Sequence, residues 1–359
     1  MIRQCCLAVL LSVVVASAAR AADAPRHPSP EVPAEKFFKN IQALKGVPSS
    51  ELMGAMRYMS ASLGMRCERC HVTSKTANWP MEKDDKAAKR TAREMITMTR
   101  DINAKNFEGK MIVTCATCHM GRSEPAQVPP IRPDSGPAQK DVGPAPSTKE
   151  TLARHEAAVG GRARFEKLAT VVARGTVTTS EGQTFPIEID RKAPDRIRVA
   201  AGEGKDAFAR HYDGSLGWNV DAERAVPMGG EELVTISRQA AFLADFDPKS
   251  SLPMLVVTGP DRIDGRPVIV AEGRGKDGHR ETLFFDAGTN LLARRMVFTD
   301  TILGKIPEQF DYSDYRDVAG VKLPFRIVHA RPSSRETETF REILVDTPLP
   351  DETFGAPKK

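Results

Sequence analysis

The sequence predicts a multidomain chain. An N-terminal all-α domain precedes a C-terminal α+β domain built on an antiparallel sheet. Three observations carry this. Before residue 122 the apolar residues recur every three or four positions, the spacing of a helix face. Residues 123–150 are rich in Pro, Ser and Gly with almost no large apolar side chain, which marks a linker and a domain boundary. After residue 151, short alternating segments are separated by turn pairs, the pattern of hairpins.

The first residues speak to compartment. Arg3 leads an unbroken apolar run from Cys5 to Ala19, and Ala19-Arg20-Ala21 follows as a small-x-small cleavage pattern. Residues 1–21 therefore read as a secretory signal peptide, too short for a comfortable membrane span, and the mature chain as an exported, periplasmic protein with no transmembrane segment after cleavage. Cys5 and Cys6 leave with the signal. Cleavage also removes Arg3 and Arg20, so the formal charge falls from +5 to +3, too weak a surplus to argue for nucleic acid.

Residues 22–122 form the N-terminal domain. Ser49, Ser50 and Glu51 offer N-capping chemistry. Leu52, Met56, Met59 and Leu63 continue at helical spacing, and Gly64 closes the helix. A second helix follows from Asp84 to Phe107, acidic at its start and basic later, with Met95, Met98 and Ile102 on one face. Residues 52–71 and 95–119 are an internal repeat: a Met-bearing helix, a short loop, then Cys-x-x-Cys-His.

Residues 151–359 form the C-terminal domain. A short helix leads into a meander whose turns are Asp213-Gly214, Asp264-Gly265, Gly288-Thr289-Asn290 and Ala319-Gly320, interrupted by one helix over 231–246. Trp218 is expected to be buried behind a hairpin turn. His155, His211, His279 and His329 are scattered and read as ordinary surface or half-buried side chains. No triad, phosphate loop or metal cluster is legible in this half.

The chemistry lies in the repeat. After signal cleavage four cysteines remain: Cys67, Cys70, Cys115 and Cys118, each pair followed by a histidine, His71 or His119. Two thiols three residues apart reach the two vinyl groups of one haem, and the next residue, His, is then held under the iron. Zinc would need the two pairs much closer than 44 residues, a redox pair would need a surrounding βαβ unit, and plain disulfides would not need the His. The expected cofactor is therefore haem c, two copies covalently attached. Met or a second His usually closes the sixth position. Methionine is abundant here, and spacing alone does not choose among the candidates.

At this point the chain resembles a family. Residues 36–122 are similar to the cytochrome subunit of photosynthetic reaction centres, a tetrahaem electron donor. The stretches that carry the likeness are LMGAMRYMSASLGMRCERCH and REMITMTRDINAKNF followed by VTCATCHMGR. The resemblance implies that each site is a helix bearing an axial Met, a turn, and the Cys-x-x-Cys-His. It places the axial ligands on Met53, fourteen residues before Cys67, and Met95, twenty before Cys115, with Met56 and Met98 one turn on as alternatives. The chain departs from the family in carrying two motifs where the family has four haems. Its loop before the second motif is also shorter and lacks the His that serves another haem. The C-terminal region resembles exported proteins of the LolA/LolB-like fold, an open antiparallel half-barrel wrapped on helices, through AAVGGRARFEKLATVVARGTV, YDGSLGW and DYRDVAGVKLPFRI. That resemblance implies a concave face for an apolar ligand.

These readings converge on a dihaem c-type cytochrome that passes single electrons between redox partner proteins. Metal ligands are His71, His119, Met53 and Met95. It is read as an electron carrier rather than an enzyme, because filled axial positions leave no open site. The alternatives are a haem enzyme reducing a small oxidant such as peroxide, and a lipid- or quinone-binding redox module.

Overall fold

The computed structural model describes residues 32–73, 80–125, 145–204, 207–221, 225–242, 244, 246–276, 278–332 and 334–356. The expected signal peptide, His27 and most of the Pro-rich stretch lie outside them. The chain has an α-rich N-terminal region and a large open antiparallel sheet in its C-terminal region. No helix among the described residues is long and apolar enough to cross a membrane.

The N-terminal region contains α1 (Ala34–Phe37), α2 (Leu52–Leu63), α3 (Ala87–Asn106) and α4 (Cys115–His119). Its core is small. Leu44, Leu52, Ala55 and Ile96 are buried, with Met56 and Met59 packed against them. Ile302 and Leu303 of the C-terminal region complete this cluster. The α2 helix ends as expected: Gly64 takes a left-handed φ of 61°, and the bonds from Gly64 N to Ala61 O and from Met65 N to Ser60 O close a Schellman motif. Its start differs. Ser49–Glu51 form a 3-10 turn and no side chain caps the helix, because Pro48 already fixes the entry and the turn carries the chain straight into the first helical residue.

The C-terminal region opens with α5 (Thr148–Ala158) and α6 (Arg162–Phe165). The strands then run β1 (Thr170–Thr179), β2 (Thr184–Lys192), β3 (Arg196–Ala201), β4 (Phe208–Tyr212), β5 (Gly217–Asp221) and β6 (Ala225–Pro227). After α7 (Gly230–Ala240) and α8 (Pro248–Ser251) come β7 (Val256–Ile263), β8 (Arg266–Arg274), β9 (Arg280–Asp286) and β10 (Leu292–Thr301). The chain finishes with β11 (Gly304–Val318), β12 (Val321–Arg331) and β13 (Ser334–Val345). The strand order is β6-β5-β4-β3-β2-β1-β13-β12-β11-β10-β9-β8-β7, so the only non-sequential neighbours are β1 and β13. Each hairpin turn named from the sequence lies between consecutive strands, and Asp264, Asn290 and Ala319 hold the positive φ those turns require. The inner face grips α7, whose Leu233, Ile236 and Ala240 join Phe165, Val199, Phe242 and Phe340 in the main core.

Two expectations are corrected. Trp218 is half-buried: it pairs with His211 near the sheet edge, on the face away from α7, where little covers it. The four C-terminal histidines are buried, two of them held by carbonyls of distant segments and two beside a glutamate of the sheet. His155 Nδ1 meets Asn290 O at 3.0 Å and His211 Nδ1 meets Gly355 O at 2.8 Å. His279 Nε2 lies 2.9 Å from Glu281, and His329 pairs with Glu308 while stacking on Phe310.

Candidate haem sites and an interdomain cavity

Both Cys-x-x-Cys-His motifs are tight turns. In the first, Cys67–Arg69 form a 3-10 turn and His71 N bonds Cys67 O at 2.9 Å. The second is α4 itself, started by a capping box between Thr114 and Thr117 and stopped by Met120 at a φ of 49°. All four cysteines are free thiols. Burial pushes the Cys70 and Cys115 thiols up, so both stay protonated at neutral pH.

The two histidines are oriented alike. His71 Nδ1 sits 3.0 Å from Met81 O, and His119 Nδ1 sits 3.0 Å from Arg122 O. A backbone carbonyl accepts only from N–H, so Nδ1 carries the proton and Nε2 presents a lone pair. This is how an imidazole is held for an iron. Burial also pushes the His71 pKa down, which favours the neutral ring.

The methionines divide. Met53 is 48% exposed, whereas Met56 packs into the small core. On α3, Met95 is half-buried and Met98 is 44% exposed. Further exposed apolar side chains flank the motifs: Met81, whose carbonyl holds His71; Met111 and Ile112, just before Cys115; and Met120, just after His119. Free thiol pairs, Nδ1-anchored histidines and uncovered thioethers beside them are a donor set and an apolar surface that fit haem c.

Sequence reasoning missed Asn103. It is buried on α3, its side-chain oxygen accepts from Ile112 N and Val113 N, and its amide donates to Val113 O at 2.6 Å. It pins the approach to Cys115 onto α3. A polar residue on the apolar side of a helix, at "RDIN", was the available signal. Gly64 and Gly121 were missed as a pair. Gly121 N bonds Ser62 O at 2.8 Å, and a Cβ on Gly64 would lie 2.1 Å from Gly121 O. The turn after the second motif thus rests on the end of the helix that leads to the first.

The N-terminal region docks on one end of the sheet through α2. Gly54 faces Glu231 and Thr301, and Tyr58 lies against Gly304 in the β10–β11 turn. Arg57 bridges Glu231 at 3.2 Å and Glu232 at 2.9 Å, both at the start of α7. Beneath this contact the concave face encloses a cavity of about 460 Å³, within the range of small-molecule sites. Its apolar part includes Ile189, Val199, Phe242, Phe310 and Ile327, and its charged part includes Arg57, Arg210, Glu308, Arg331, Glu336 and Glu338.

Residues 10–158 match the family model described as photosynthetic reaction centre cytochrome C subunit. A comparison with curated protein sequences gives no match. Among solved structures, a DUF1329 family protein from Desulfovibrio piger is 12% identical, with a TM-score of 0.42 over 58% of this chain and 96% of that one. A LolA superfamily protein from Nitrosomonas europaea is 13% identical, with a TM-score of 0.42 over 59% of this chain and 98% of that one. In its N-terminal part the chain is thus similar to the photosynthetic reaction centre cytochrome C subunit.

Proposed function

We propose that the chain is an exported, periplasmic dihaem c-type cytochrome that passes single electrons between redox partner proteins. Cys67 with Cys70, and Cys115 with Cys118, tether the two haems. His71 and His119 are the proximal ligands, and Met53 and Met95 close the sites. The observation that carries the reading is the repeated geometry of free thiol pair and histidine, each ring fixed by Nδ1 on a backbone carbonyl.

The helix positions favour the two methionines named. Met56 is engaged in the core, while Met53 is free to turn to a ligand. Asn103 marks the side of α3 that receives the second motif. At about 100° per residue, Met95 lies about 80° from that direction and Met98 about 140°.

A haem so held supplies a one-electron Fe(III)/Fe(II) couple whose potential Met ligation raises. The protein fixes the imidazole tautomer, and Met53 and Met95 would complete the ligand set of each iron and leave no open position for a small oxidant. Addition of carbon monoxide or cyanide should leave the spectrum unchanged, and a bound-ligand spectrum would favour the enzymatic alternative.

The test is a pyridine haemochrome assay with intact mass on protein exported from a host that matures c-type cytochromes. Two haems per chain are expected, falling to one in Cys67→Ser/Cys70→Ser. Haem-free protein with zinc or disulfides at the four cysteines would overturn the reading. The cavity favours a second role for the C-terminal region, holding an apolar ligand against the face that α2 covers.

A further inference from the structure

The charged part of the cavity is built unevenly. Its lining carries seven cationic side chains against five carboxylates. Most of the cations are tied: Arg57 to Glu231 and Glu232, Arg331 to Glu308 at 2.9 Å, Arg295 to Glu281, and Arg191 to the carbonyls of Gln239 and Ala241. Arg210 differs. It lies near the start of β4, between Val199 of β3 and Asn219 of β5, and has no hydrogen-bond acceptor among the described residues. Its counter-charges, Glu338, Glu336 and Glu308, act on it only across the cavity, and Arg331 repels it. Burial disfavours its charge, which is the condition of a cation that lacks a close anion. Glu338 is hemmed in as well, and burial pushes its carboxyl up to about 7. Below that pH the carboxyl holds a proton and is a donor, which leaves Arg210 only the more distant influence of Glu336 and Glu308.

We propose that this end of the cavity is a head-group site for an amphiphile bearing one carboxylate, with Arg210 as its counter-ion, Glu338 donating a hydrogen bond and the apolar body lying along Phe242, Ile189 and Val199. The assignment rests on the reading that the cavity holds an apolar ligand, and it adds the chemistry of the head. An anion fits better than a cation, because a second cation would leave Arg210 without an acceptor and would face the positive surplus. It fits better than a bare hydrocarbon, which would strand the same guanidinium in an apolar cage.

The test uses the full-length protein with two probes, a long-chain fatty acid labelled with ¹³C at the carboxyl carbon and the fatty alcohol of equal length. Affinities come from titration calorimetry, and the bound carboxyl is followed by its ¹³C resonance. The acid should bind at least about tenfold more tightly than the alcohol, the worth of a charge-assisted hydrogen bond. Arg210→Gln should erase that preference while alcohol binding stays within about twofold. If Arg210→Gln does not fold, Arg210→Lys, which keeps the charge but not the fork, should retain a resonance shift and lose part of the affinity. Equal binding of acid and alcohol, or a preference that survives Arg210→Gln, would overturn the head-group site while leaving an apolar cavity. Binding of neither probe would overturn the apolar reading and this site together.

Discussion

At the scale of single residues, Met53 and Met56 of α2 differ in the way that the sequence left open, the first exposed and the second packed into the small core. Met53→Ala removes an exposed side chain and should cost the fold less than about 0.5 kcal/mol in thermal unfolding. In the holo protein it should abolish the Met-to-iron charge-transfer band at one haem. Met56→Ala should do the reverse, costing about 2 kcal/mol or more through a cavity beside Leu52 and Ala55 while keeping the band. Swapped outcomes would move the ligand to Met56. The residues legible in the sequence were those whose chemistry needs neighbours along the chain: Cys67, Cys70, His71 and their second copy. The axial methionine depends on which face of a helix is left uncovered, and that is settled by packing. The burial of His155 and His211 was illegible for the same reason, since Asn290 O and Gly355 O lie 135 and 144 residues from the rings they hold.

At the scale of elements, the joint between α2 and the β10–β11 turn rests on glycine. Gly304 has a φ of 151°, and a Cβ there would lie 2.3 Å from the Tyr58 ring. Gly304→Ala should therefore strain the turn and lift α2, at about 1–3 kcal/mol, with faster amide exchange in α2 than in the sheet. The sheet has its own electrostatic clamps. Burial alone would raise Glu281 and Glu308, but Arg295 with His279 hold the first at about 2, and His329 with Arg331 hold the second at about 2. Both are depressed below their ordinary value of 4.5, so their stabilisation is present above that pH and fades as pH falls towards about 2. Acid titration of the unfolding free energy should show this loss. Glu281→Gln should reduce its slope and cost about 3 kcal/mol or more, because it removes the buried negative charge that Arg295 faces. Hairpin order was legible from turn pairs. The closure of β1 on β13, which makes one sheet of the whole meander, was not, because nothing local links residues 170 and 345.

At the scale of the whole molecule, α2 belongs to both halves. It carries Met53, and its Arg57 walls the charged end of the cavity. Anything that binds there and touches Arg57 sits one helical turn from Met53, the proposed axial ligand. Binding and oxidation state should then be linked in both directions. Spectropotentiometry with and without a saturating fatty acid should give a shift of about 59 mV for each tenfold difference in affinity between the two oxidation states. Arg57→Gln should shrink the shift. The N-terminal region also has a thin core of its own, a cluster of four buried apolar residues with partly buried neighbours such as Phe38, Ile41 and Met56, extended by Ile302 and Leu303 of the β10–β11 turn. Protein made without haem attachment should keep the circular dichroism of the sheet but lose exchange protection in α3 and α4. A fully protected apo form would contradict a cofactor-built core.

The seat of Gly121 on the end of α2 has a kinetic meaning. With a haem at each motif, the gap an electron must tunnel between them would be set in part by this contact of backbone on backbone. The internal exchange rate would then be a property of chain geometry, insensitive to most surface substitutions. A single methyl group at position 64 would be enough to reset it.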